Sequence, residues 1–171
     1  IEPAESTFDV VLSGKNAMIN RWGPIPRDDR KKTHKVLRKV ECEHLRNRPW
    51  GVLSQGERQR VLVGRALMSK ARILILDEPC AGLDPVARED FLEFIERLAG
   101  RQRGAPTMVF VTHHVEEIMP CFTHAALLGE GEFVARGEIG EVLRTANLRS
   151  TFGDEVKLRH GGGRYRLKVD R

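Results

Sequence analysis

LSQGERQRVLVGRALMSKARILILDEPCAGLD occupies residues 53–84 and holds three features in a fixed order. Ser54-Gln55-Gly56-Glu57 opens a helix: Ser54 is placed to N-cap it, and Glu57, three residues on, to complete a capping box. The helix is expected from about Glu57 to Met68. An apolar strand, Ile73-Leu74-Ile75-Leu76, follows and ends in Asp77-Glu78-Pro79. A turn with Gly82 leads to Asp84-Pro85, N-cap and first position of the next helix. Taken singly, these signals have ordinary readings: a plain capping box, and two solvated carboxylates after a strand.

Beyond Asp84 the helix is expected to continue to about Ala99, with Phe91, Phe94, Ile95 and Leu98 at helical spacing. Gly100 or Gly104 ends it. Met108-Val-Phe-Val-Thr112 is a second continuous apolar run. Two such runs joined by a helix read as a βαβ unit, its parallel strands buried on both faces. Ala125 to Leu128 and Phe133 to Ala135, around a turn at Gly129 to Gly131, read as a hairpin. Gly137 to Leu143 reads as a short helix, and the tail from Glu155 as two short strands around a glycine turn. On the other side, Phe8 to Ile19 reads as a helix, and Trp22-Gly-Pro-Ile-Pro as a loop. A basic amphipathic helix from about Asp28 to Val40 has Val36, Leu37 and Val40 as its apolar positions. Arg48-Pro49-Trp50-Gly51 then leads into the quoted stretch.

The 171 residues suffice for one domain with a real core, and 40% apolar with 31% charged residues is a globular composition. No apolar run approaches the roughly 18 residues of a membrane span, and no signal-peptide pattern opens the chain. Cys42, Cys80 and Cys121 lack metal-ligand spacing, which reads as a reduced, cytosolic protein. Ile1 is not an initiator methionine, so the chain is read as a piece of a longer one. The formal charge of +5 comes largely from two clusters. One is Arg27, Arg30, Lys31, Lys32, Lys35, Arg38 and Lys39; the other is Arg159, Arg164, Arg166 and Lys168 with His160. Little aromatic residue is interleaved for stacking bases, so these are read as solvated faces rather than a nucleic-acid surface.

Together and in this order the residues resemble the ATP-binding cassette (ABC) ATPases. LSQGE resembles that family's signature motif, ILILDEP its Walker B motif with the catalytic glutamate, and AGLD its D-loop. Thr112-His113 resembles the switch histidine. The resemblance runs from Phe8 to about Leu148. It implies an α/β fold with the parallel sheet core of the P-loop NTPases, incomplete here. Residues 8–52 would form a helical subdomain leading into the signature, 53–148 the rest of the core, and 149–171 a β-tail.

One departure matters: no G-x-x-x-x-G-K-[ST] occurs in the chain. Gly14-Lys15 looks like a phosphate-loop fragment, but Asp9 stands where the first glycine belongs and Asn16 follows the lysine, so it is a decoy. No glutamine before Phe8 matches the family's Q-loop. In the family the P-loop strand lies between the histidine strand and the strand matching Ala125 to Leu128, so a gap in the sheet is expected.

In open parallel sheets ligands gather beyond the carboxyl ends of the strands, where Asp77, Glu78 and His113 stand. By resemblance Asp77 holds Mg²⁺, Glu78 polarises the attacking water as general base, and His113 bridges the γ-phosphate of ATP. Ser54, Gln55, Gly56 and Glu57 present a helix N-terminus to the ATP held by a second ABC subunit, with Asp84 at the same seam. The implied activity is ATP hydrolysis coupled to transport. The implied partners are that second subunit, identical or not, and a membrane-spanning subunit; the implied location is cytoplasmic, at the inner face of the membrane. The chain alone is expected to be inactive. Two alternatives stay open: a translation or DNA-repair ATPase, and a non-catalytic module lending its signature surface to a partner.

Overall fold

Ser6, Ser54 and Asp84 each hold the chain extended and then turn it into a helix, because each side-chain oxygen takes up amides that the first turn leaves without partners. The computed structural model describes residues 1–15, 24–100, 106–153 and 155–169. Ser6 accepts from the Asp9 amide at the start of α1 (Thr7–Ser13). Ser54 and Glu57 form a complete capping box on α3 (Gln55–Met68). Asp84 accepts from the Val86 and Ala87 amides on α4 (Pro85–Ala99). Between them α2 (Arg27–Lys39) has no side-chain cap; Asp28 and Asp29 in its first turn and Arg38 and Lys39 in its last complement the helix dipole instead. The chain divides into two compact units, Ile1–Val111 and Thr112–Arg171.

In the first unit α1 packs against α2 and α3. Val10, Val11, Leu37, Val61 and Val63 of these helices are buried, and α4 buries Phe91, Leu92, Phe94, Ile95 and Leu98. Full burial of one such aliphatic or aromatic side chain contributes about 1.5–3 kcal/mol, so α4 is held by its apolar stripe. Glu41, in the left-handed region at φ 61°, ties the helices together at their polar margin. It pairs with Arg60 of α3 at 3.1 Å and with Arg97 of α4 at 2.9 and 3.0 Å. The hydrogen bond to Glu41 holds the Arg97 guanidinium above its ordinary pKa. Burial pushes the Cys42 thiol up to about 12, which removes it from nucleophilic chemistry.

The strand β1 (Ile73–Asp77) pairs in parallel with β2 (Thr107–Val111), from Ile73 opposite Thr107 to Asp77 opposite Val111. Burial on both faces was expected and is not what is found. Leu74, Leu76, Met108 and Phe110 face inward, while Ile73 and Ile75 are 58% and 65% exposed and Val109 and Val111 are 42% and 43% exposed. The side-chain period of two puts each set on one face, and no described element of this unit covers the second face. Among the described residues each strand has a single partner, giving three separate two-stranded sheets.

Gly14 and Lys15 show why a phosphate-loop reading fails there. A Cβ at Gly14 would lie 1.9 Å from the Arg65 carbonyl oxygen of α3, so glycine is what lets the end of α1 meet α3. Lys15 donates to both carboxylate oxygens of the buried Asp29, at 2.6 and 2.7 Å. Gly14→Ala is therefore expected to destabilise the unit by about 1–3 kcal/mol through overpacking, read as a lower denaturant midpoint with an unchanged slope. The first helix, expected from Phe8 to Ile19, is seen from Thr7 to Ser13; positions 16–19 lie outside the described residues.

In the second unit a hairpin joins β3 (His124–Gly129) to β4 (Glu132–Glu138), with a register shift at Leu127/Leu128. The helix expected from Gly137 is shorter: Gly137 and Glu138 remain in β4, opposite Ala125 and His124, and α5 spans Ile139–Val142. A helix not expected, α6 (Thr145–Phe152), follows and buries Leu148 completely. The tail forms the expected hairpin of β5 (Val156–Gly161) and β6 (Arg164–Val169).

Candidate functional site

The signature segment reaches its helix through a braced loop. Trp50 and Gly51 donate their amides to the Glu5 and Pro3 carbonyls at 2.8 Å each. The Arg58 guanidinium donates to the Gly51 carbonyl at 2.9 Å and lies 5.5 Å from the centre of the Trp50 ring. At the helix start, the Ser54 amide donates to Glu57 Oε2 at 2.8 Å, and Ser54 Oγ accepts from the Glu57 amide at 3.3 Å. That second bond is long, so the hydroxyl is loosely committed to the cap. The amides of Gln55 and Gly56 are the remaining donors of the first turn, and Ser54 and Gln55 are exposed. A Cβ at Gly56 would be 3.9 Å from the nearest atom, Ala87 Cβ. Packing therefore does not require glycine at this position, and the same closeness sets the signature beside the first turn of α4, where Asp84 is the cap.

Asp77 and Glu78 stand at the carboxyl end of β1 with exposed side chains. The Glu78 amide donates to the Val111 carbonyl at 2.9 Å, fixing it to the end of β2. The chain then turns sharply, with Glu78 at φ 43°, a region that costs a residue with a Cβ about 1–2 kcal/mol. The Ala81 amide returns to the Glu78 carbonyl at 3.0 Å and the Leu83 amide to the Cys80 carbonyl at 3.1 Å. Buried Pro79 and Cys80 anchor this loop, leaving the carboxylates outside. Among the described residues, no three His, Cys, Asp or Glu side chains converge to hold a metal ion. A lone Asp77 still fits Mg²⁺, which keeps water and needs one or two carboxylates beside phosphate oxygens.

His113 belongs to the second unit, where its exposed ring lies 4.0 Å, centre to centre, from that of His114. Its loop is closed by Thr112, whose hydroxyl donates to Glu117 Oε2 at 2.6 Å and accepts from the His114 amide at 3.0 Å. Glu117 is 3% exposed. Sequence reading missed this buried acid, and the one signal for it is a threonine five residues before a glutamate.

So the first unit brings Ser54, Gln55, Gly56, Glu57 and Asp84 to one neighbourhood, and sets Asp77 and Glu78 at one strand end. A family model described as ABC transporter matches residues 3–81. The ABC transporter ATP-binding protein YlmA of Bacillus subtilis (strain 168), itself uncharacterized, is 43% identical over 152 residues, 89% of this chain and 57% of that protein. A solved inward-facing ABC transporter assigned to the metal-chelate type superposes with a TM-score of 0.79 at 26% identity, covering 98% of this chain and 66% of that one. The structure of cbiO1 from Clostridium perfringens, part of the ABC transporter complex cbiONQ, superposes at 0.66 with 28% identity, over 85% of this chain and 58% of that one. This chain thus spans little more than half the length of YlmA. With its motif order, its α/β fold and these likenesses in agreement, the chain belongs to the ABC ATPase family, as part of a nucleotide-binding domain.

Proposed function

We propose that the whole protein binds and hydrolyses ATP and couples that hydrolysis to moving a substrate across a membrane. The observation that carries the reading is the strand end at Asp77-Glu78: two exposed carboxylates, the second on a strained turn pinned by the Val111 carbonyl. Phosphoryl transfer depends on positioning and charge neutralisation, and a fixed carboxylate beyond a parallel strand supplies the positioning. Glu78 acts as general base toward the attacking water. Asp77 is the residue that holds Mg²⁺, which when bound neutralises phosphate charge. His113 contacts the γ-phosphate.

Ser54, Gln55, Gly56 and Glu57 face the ATP bound by a second ABC subunit. The loosely held Ser54 hydroxyl and the room at Gly56 support this, because a phosphate approaching a helix start needs both a donor and space. Asp84 lies at the same seam. The relatives named as ABC transporter ATP-binding proteins, and cbiO1 as part of a transporter complex, support a membrane-spanning partner and a place at the inner face of the membrane. A second reading, a segment that only lends its signature surface, draws on the lack of G-x-x-x-x-G-K-[ST] in these 171 residues.

The test compares ATP turnover by the 171-residue chain with that of a longer form carrying a phosphate loop. Turnover in the longer form and none in the 171 residues is expected. Turnover by the short chain that vanishes in Glu78→Gln would mean that the phosphate cradle is built from residues in this chain. No turnover in either form would leave the non-catalytic reading.

A further inference from the structure

We propose that Glu116 and Arg164 are positioning residues, locking the loop that carries His113 onto the C-terminal hairpin so that the hairpin governs the rate of hydrolysis. This rests on the role proposed above for His113. The loop leaves Thr112 and makes a short 3-10 turn at Val115–Glu117, and three kinds of tie join it to the hairpin.

The first tie is polar and long-range. The Leu167 amide on β6 donates to Glu116 Oε1 at 2.8 Å, across 51 residues of sequence. Among the described residues β6 has β5 as its one partner strand, so this bond caps an edge amide with a carboxylate, and a charged acceptor strengthens it. The Arg164 guanidinium donates to the Glu116 carbonyl oxygen at 2.6 Å, so both the side chain and the backbone of residue 116 are gripped. The second tie is apolar: Val115 is buried with Leu148 and Val156, and Leu158, Tyr165 and Leu167 pack against them. The third is steric. A Cβ at Gly163, in the β5–β6 turn at φ 74°, would sit 3.3 Å from Pro120 Cγ, where the loop ends.

Within the loop, neighbouring acids point to different tasks. Glu117 turns inward to receive the Thr112 hydroxyl, and Glu116 reaches the hairpin. The exposed His113 therefore lies on a span closed at one side by Thr112 and Glu117 and anchored at the other by β6. A histidine that meets a phosphate must sit within a fraction of an ångström of its place, and a 1 Å error costs up to about 10²-fold in rate. Loosening the anchor at residue 116 is a direct way to introduce such an error without touching the nucleotide.

The experiment measures ATPase kinetics of the full-length protein. Glu116→Ala is expected to lower kcat about ten-fold and leave the KM for ATP within about two-fold. Glu116→Gln is expected to restore most of that loss, because its amide oxygen still accepts from Leu167. Arg164→Ala is expected to lower kcat several-fold in the wild-type background and to add nothing in His113→Ala, since the effect acts through His113. If His113→Ala turns over like the wild type, the reading of His113 fails and this inference with it. If His113→Ala is inactive while Glu116→Ala and Arg164→Ala are folded and keep wild-type kcat, the positioning inference alone is overturned. Should Glu116→Ala fail to fold, Arg164→Ala, beside the hairpin turn, decides the matter in the same way.

Discussion

Glu78→Gln in the full-length protein is expected to lower ATP turnover by about 10²–10⁴-fold, the usual contribution of a general base, while ATP binding persists. Glutamine keeps the shape of the side chain and its neighbours, and it cannot take a proton from water. The backbone strain at Glu78 is shared by wild type and variant, since both carry a Cβ at φ 43°. Loss of folding is therefore not the expected cause of any loss of turnover. With hydrolysis blocked and binding intact, a pair of subunits should stay closed on its ATP. Gel filtration with ATP and Mg²⁺ is expected to show a stable dimer for the variant. A variant that elutes as a monomer, or that turns over at the wild-type rate, would remove Glu78 from the role of base.

The second large effect separates two tasks that Ser54 can perform. As an N-cap alone, Ser54→Ala should cost about 1 kcal/mol of stability and change turnover only in proportion. As a phosphate donor across a dimer seam it should lower turnover far more than stability, and the 3.3 Å bond to the Glu57 amide is loose enough to be exchanged for one to phosphate. Mixing decides between them. In a heterodimer of Ser54→Ala and Glu78→Gln chains, one site carries both defects and the other carries neither. Activity in the mixture above the sum of the two homodimers is the expected outcome. A mixture with no gain would show that the signature serves its own subunit or that the two sites cannot fire separately.

The features legible in the sequence were those decided by a few adjacent residues. The caps at Ser54 and Asp84, the alternation of strand and helix from Ile73 to Val111, and both hairpins of the second unit depend on neighbours within a turn. The helix α6 was not legible because its cap residue, Arg144, makes no side-chain capping bond and its buried set reduces to Leu148. Continuous apolar runs at residues 73–76 and 108–111 suggested strands buried on both faces. A run of that kind records what a strand is able to bury, not whether another element covers it. At the candidate site, the motif residues were legible one by one. What was not legible was what supports them, because Glu41 reaches Arg97 across 56 residues and Glu116 reaches Leu167 across 51. Ion pairs and edge caps at such separations leave no periodic trace.

The left-handed backbone at Glu78 bears on how the protein would respond to selection. The turn from strand to loop favours glycine there, and glycine would relieve about 1–2 kcal/mol of strain while erasing the proposed base. Libraries screened for heat resistance alone would therefore drift toward inactive variants at this one codon, since stability and turnover pull it in opposite directions. An engineer seeking a sturdier form would hold residue 78 fixed and look for gains at the helix caps instead.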